Sequence, residues 1–355
     1  MLFLTTDERS LWRACGLTRL WAQGRIEPVV PPPLPAHLAA HQLLAIVLQE
    51  GAVGRRLWQE WLGDPFVLGD DVVLFDDAVS DHLTGNGFLT VDGGMLSIGR
   101  EAEARFGRRH FLELTSVFTA PAVFTVLAGR REIGHVHDLG VMAAFQVREG
   151  PPVLLLGGRG WRILDVDWRR RRVHVELTER SGKTRYHGVG QPLDHELCQS
   201  MAAVLAGDDP AVPLSRRAQA QIDDSRAGFA GLRPGEATLT RRWPTGKTEW
   251  WTFAGLRANL ELAARLGPRS RSVAGIDDLS IALADDTTSG ELTSSLDRRT
   301  PVADLIDLAE EVVAGTKFAD CLPGWLADAV VLARVSDSAA VDEVLTRRVD
   351  EIHVG

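Results

Sequence analysis

Cysteine is scarce in this chain, with three among 355 residues: Cys15, Cys198 and Cys321. No two are close in sequence, so a CxxC metal or redox pair is excluded. An odd, sparse count fits a reducing compartment, and a cytoplasmic location is expected. Long apolar runs are missing as well. No stretch of 18 apolar residues occurs, and the opening MLFLTTDERS meets charge too early for a signal peptide or an anchor, so no membrane partner is expected. No internal repeat is evident. Nucleotide-hydrolysing boxes are absent too. Gly246-Lys247-Thr248 has the ending of a P-loop, but Arg241 stands where the first glycine is needed, and Trp243 and Pro244 occupy the would-be cradle. A hairpin turn is the better reading. Asp342-Glu343-Val344-Leu345 has the look of a Walker B box without its preceding apolar strand, and reads as a helix surface. ATP hydrolysis by this chain is therefore not expected, and no cofactor is expected in it; ATP and Mg would enter only through a motor partner.

What is present is an ordinary globular composition, 45% hydrophobic and 25% charged, enough to bury a core in two or three domains. The net charge of −9 conceals an asymmetry. Arg100–Arg185 holds 16 Arg/Lys against 10 Asp/Glu, a net of +6, whereas Ile276–Gly355 holds 6 against 17, a net of −11. A basic middle can meet phosphate even in an acidic protein.

Thr6 and Asp7 can cap a helix running through Leu11, Trp12, Leu17, Leu20 and Trp21, and the proline run 28–35 follows as a stiff connector. Helices are expected over about 36–49, 55–62 and 75–83, then a hairpin over 88–98 turning at Asp92-Gly93-Gly94. Three short helices and a hairpin spell a winged helix, with a helix before the hairpin as its recognition element. A short basic helix is expected over 101–111. From 117 to 175 the period becomes strand-like, with strands at 124–127, 145–147, 153–156, 161–168 and 172–177, which suggests a small barrel or curled sheet. Helices are expected again near 194–205, 216–229, 254–266, 302–313 and 325–335, and Leu239–Arg242 pairs with Glu249–Phe253 as a hairpin. The expected fold class is thus α+β, a winged helix followed by a small β-barrel or curled sheet domain with packed helices. Its parts are an exit-and-linker segment (1–32), a winged helix (33–112), a barrel-containing domain (113–210) and a C-terminal α+β part of that domain (211–355).

Two groups invite chemistry. His135-Val-His137 could set two imidazoles on one strand face with Asp138 nearby, but no third metal ligand has a persuasive spacing. Gly157-Gly-Arg-Gly-Trp161-Arg162-Ile163, followed by Asp165-Val-Asp167-Trp168 and by Arg169 to Arg172, puts aromatic rings beside guanidinium groups on a sheet. Stacking on bases and gripping phosphate need that combination. The alternative is that Trp161 and Trp168 fill the barrel core and the arginines only form a turn.

The stretches Gly107-Arg108-Arg109-His-Phe-Leu-Glu-Leu114, Phe124-Thr-Val-Leu-Ala-Gly-Arg130-Arg131-Glu-Ile-Gly134 and Val153–Ile163 resemble the domain that follows the winged helix in Lhr-type (large helicase-related) superfamily 2 DNA helicases, the DEAD/H-associated domain. Lys317–Pro323 with Leu326–Arg334 resembles that domain's closing signature, and Thr5–Pro28 resembles the exit of the second RecA-like motor domain. The resemblance spans nearly the whole chain and implies an accessory region or subunit of an ATP-dependent 3′-to-5′ helicase linked to DNA repair. The chain starts after the motor, so unwinding does not carry over to it alone. A RecA-like motor is expected in cis or in trans, with single-stranded or tailed DNA rather than RNA as the nucleic-acid partner. In the family a tryptophan of this domain stacks on the tracking strand, and Trp161 is the candidate. The full expected binding set is Trp161, Arg159, Arg162, Trp168, Arg169, Arg170, Arg171, Arg130, Arg131, Arg108 and Arg109.

Two other readings compete. Winged helices with a small barrel also occur in DNA glycosylases, where Asp165 and Asp167 would be the catalytic carboxylates beside a flipped base. An interaction module would dock a separate motor through Leu2–Ile26 and the acidic end.

Overall fold

The computed structural model describes residues 3–31, 33–62, 72–107, 110–117, 123–145, 151–179, 192–270, 275–285, 287–296, 299–312 and 316–354. It is a mixed α+β protein of two compact units, Phe118–Gly190 and the rest of the chain.

The large unit is built around a four-stranded sheet of β9 (Ala237–Arg242), β10 (Thr248–Trp251), β11 (Ser280–Leu283) and β12 (Arg348–His353), in the order β11-β10-β9-β12. Consecutive strand residues point to opposite faces, and β10 uses this fully. Trp250 joins a core with α8 (Leu256–Leu266), α10 (Val302–Val312) and α12 (Ser338–Leu345). Trp251 joins another with α1 (Glu8–Ala22), α6 (His195–Leu205) and α7 (Arg216–Gly228). Helix α8 is buried almost all round, and its Glu261 is held by Arg265, Thr300 and Ser336. At the start of α1, Asp7 accepts from the Ser10 amide at 2.9 Å while Ser10 Oγ accepts from the Asp7 amide, a reciprocal cap. The Gly246-Lys247-Thr248 segment forms the β9–β10 turn, with the Trp243 amide donating to the Lys247 carbonyl at 2.9 Å.

A third core joins α2 (Ala36–Glu50), α3 (Val72–Gly85), α4 (Arg100–Phe106) and a three-stranded sheet of β1 (Val53–Gly54), β2 (Leu89–Asp92) and β3 (Met95–Ile98). Gly93 and Gly94 make the β2–β3 turn, as expected. Phe318, Cys321, Leu322 and two residues of α11 (Gly324–Val335), Leu326 and Val330, complete this core. Between α2 and α11 burial pushes the His37 imidazole down to about 4, helped by the Arg334 guanidinium, which donates to its Nε2 at 3.1 Å. The helix expected over 55–62 is a short 3-10 turn, Trp58–Leu62, whose Trp58 is buried.

The small unit is one sheet of five strands in the order β5-β4-β8-β7-β6: β4 (Val123–Ala128), β5 (Arg131–His137), β6 (Val153–Leu156), β7 (Arg159–Asp167) and β8 (Arg172–Thr178). Strands β4 and β8 are parallel and the other pairs antiparallel. The sheet curls into a half-barrel that brings its edge strands into side-chain contact: a Cβ built on Gly134 of β5 would lie 3.1 Å from Leu156 Cδ2 of β6. Only glycine tolerates that approach at φ +145. Helix α5 (Asp138–Phe145) packs on both edge strands and covers the seam. Phe145 therefore ends a helix, not a strand; 146–147 lie outside the described residues. A short apolar run such as Leu139–Phe145 reads equally well as a strand or a helix. Helix α6, inside the span 113–210 expected for the barrel domain, packs on α1 in the large unit. No helix among the described residues is long and apolar enough to cross a membrane.

Candidate nucleic-acid interface

Cross-strand partners share a face of a sheet, so the register of the small unit sorts the expected site residues that lie on its strands. Facing inward are Phe124 and Val126 of β4, Val173 and Val175 of β8, and Ile163 of β7, all buried. Trp161 packs against this cluster, half-buried, with its Nε1–H donating to the Leu156 carbonyl at 3.0 Å. Its neighbour Arg162 projects from the opposite face and is paired with Glu176 directly across on β8. Trp161 and Arg162 are thus separated by the sheet itself.

The ring that does stand beside guanidinium groups is Trp168. It opens the β7–β8 turn, which runs from Trp168 to Arg171 between the paired residues Asp167 and Arg172. Trp168 is 50% exposed and meets Phe124 in a T-shaped contact, centroids 5.2 Å apart at 80°. One side of the indole is held by the core and the rest is open. Asp167 builds the turn by accepting the Arg170 amide at 2.9 Å, with the Arg170 guanidinium a further 3.8 Å from its carboxylate. Arg171 closes the turn in the left-handed conformation, φ +51, and its carbonyl accepts from the Thr125 amide at 2.9 Å. Arg169 to Arg172 are all exposed, and the Arg169 and Arg171 guanidinium groups have no ion-pair partner among the described residues.

Arg130, Arg131 and Arg159 lie at the other end of the barrel. Arg130 is in the β4–β5 turn and Arg131 begins β5. Arg159 follows Gly157-Gly158, whose φ values of +59 and +73 make the tight two-residue β6–β7 turn that only glycine adopts without strain. All three arginines are exposed. Arg108 and Arg109 lie outside the described residues.

The carboxylates nominated for a glycosylase sit on β7. Asp165 pairs across with His174, and Asp167 pairs with Arg172 while holding the turn. His135 and His137 of β5 are exposed, and among the described residues no group of three or more His, Cys, Asp or Glu could hold a metal ion. In the large unit, α1, α6 and the start of α7 enclose an apolar groove of about 940 Å3, lined by Leu17, Leu20, Trp21, Ile26, Leu197 and Leu214.

The pairing of Trp168 with the arginines was within reach of the sequence, because Trp161 and Arg162 are adjacent in a strand and must point apart. The turn role of Asp167 was less visible; an aspartate three residues before an exposed amide was its only signal. Comparison with protein-family models, with curated proteins and with solved structures finds no match to this chain.

Proposed function

We propose that this chain is a nucleic-acid-binding accessory region or subunit of an Lhr-type DNA helicase, gripping single-stranded or tailed DNA for a motor in cis or in trans. The observation that carries this reading is the β7–β8 turn: one half-open indole and consecutive exposed guanidinium groups on a rigid sheet. A base can stack on the ring while phosphates meet the arginines, and neither contact reads sequence.

On this reading the α2–α3–β2–β3 assembly is a winged helix that serves packing. Its α3 presents Asp77 to solvent and Asp81 in an ion pair with Arg55, and its core is shared with α11. The groove along α1 is assigned to the motor, since the segment resembling a motor exit lines it with exposed Leu17, Trp21 and Ile26. The glycosylase alternative is weakened by Asp167, whose oxygen is committed to its own turn.

A titration with single-stranded, duplex and 3′-tailed DNA over a range of salt tests the proposal. The expected result is preference for single-stranded or tailed DNA, with log K falling linearly as log salt rises. No binding at low ionic strength overturns it.

A further inference from the structure

We infer that the small unit carries two separate grips and holds two segments of nucleic acid at once; this rests on the nucleic-acid reading above. The strands β4 and β8 run in the same direction, so the β4–β5 and β6–β7 turns share one end of the barrel and the β7–β8 turn occupies the other. Arg130, Arg131 and Arg159 belong to the first end, and Trp168 with Arg169, Arg170 and Arg171 to the second. From Arg172 to Thr178 the β8 strand separates them by about 20 Å. That exceeds the Debye length of roughly 8 Å at physiological salt, so the two ends act on anions independently.

The surface between them does not continue the basic track. The outward face of the sheet carries Glu132, Asp165 and Glu176, and its one central arginine, Arg162, is neutralised by Glu176. A polyanion laid across that face would meet carboxylates, so each end takes its own segment. Near the first end stand two carboxylates among the described residues, Glu132 and Glu179, against three exposed guanidinium groups. It also offers the open part of Trp161 and the 59% exposed Leu177 paired to it, apolar surface on which a base can rest. The ligand class at both ends is the same, a phosphodiester strand with unstacked bases. What differs is the strand each end holds, as at a fork or between a tail and a neighbouring strand.

The test is the stoichiometry of a thymidine decanucleotide in excess over the whole chain, in about 0.1 M salt, where screening already acts over about 10 Å, read by analytical ultracentrifugation. Two strands per chain are expected. Arg130→Gln with Arg131→Gln and Arg159→Gln should leave one strand bound, and so should Arg169→Gln with Arg170→Gln and Arg171→Asn. These positions are exposed, and asparagine suits the left-handed backbone at 171, so unchanged melting temperatures will show that the fold is kept. One strand per wild-type chain, or loss of both strands in either variant, overturns the two-grip inference and leaves the nucleic-acid reading standing. No strand bound by the wild type overturns both.

Discussion

The large unit buries its four-stranded sheet on both faces, whereas the small unit curls its five-stranded sheet and leaves the arginines of its turns exposed. In the first, adjacent tryptophans are consumed by packing: Trp250 and Trp251 enter opposite cores, and Trp250 Nε1–H is spent on Thr238 Oγ1 at 2.8 Å. In the second, Trp168 meets the core at Phe124 and stays half-exposed. The same residue type supports stability where helices cover the sheet and is available to a ligand where a turn leaves the sheet. Composition cannot separate these roles; the face and the neighbours do.

The largest expected effect breaks the first half of this comparison. Trp250→Ala removes a fully buried ring and should destabilise the protein by about 3–5 kcal/mol, measured by urea unfolding. An effect below about 1 kcal/mol would show that the sheet is not packed on both faces. Next comes pH. Neutral His37 is favoured in the folded state, with a value of about 4 against 6.5 for the free side chain, so the unfolded chain binds the extra proton between those limits. Stability should therefore fall as pH drops from 6.5 to 4, by on the order of 3 kcal/mol. His41 is lowered too and adds in the same direction. The fall should shrink in His37→Gln; an unchanged pH profile in that variant would exclude the assignment.

Smaller effects test the second half. Trp168→Ala should cost about 1–3 kcal/mol of single-strand affinity, the worth of one stacked base, without altering the salt slope. A change in slope without a change at fixed low salt would mean that the ring only positions arginines. Asp167→Ala removes the bond that shapes the turn and should cost about 0.5–1.5 kcal/mol of stability in thermal melts. If that variant instead removed a base-releasing activity from damaged oligonucleotides, the aspartate would be catalytic.

Much of the fold was legible because its signals are local. The Asp7 cap, the turn at Gly93-Gly94, the β9–β10 hairpin and most long amphipathic helices all announce themselves within a few residues. The closing of the large sheet does not. Strand β12 pairs in parallel with β9 more than a hundred positions earlier, Arg348 against Ala237, and its charged sequence looks like solvent-exposed chain. The seam of the barrel depends on Gly134 meeting Leu156, again a non-local contact. At the candidate site the residue types were legible, but their division between two ends and two faces required the register. A run such as Arg169–Arg172 shows positive charge without showing what stands beside it.

The most direct test of the central claim is the salt dependence of single-strand binding when Arg169→Gln, Arg170→Gln and Arg171→Asn are added to a parent that already carries Arg130→Gln, Arg131→Gln and Arg159→Gln. Loss of three phosphate contacts predicts a log–log slope shallower by about 2 and an affinity lower by on the order of 100-fold at low salt. A slope and affinity equal to those of that parent would contradict the assignment of the β7–β8 turn to nucleic acid.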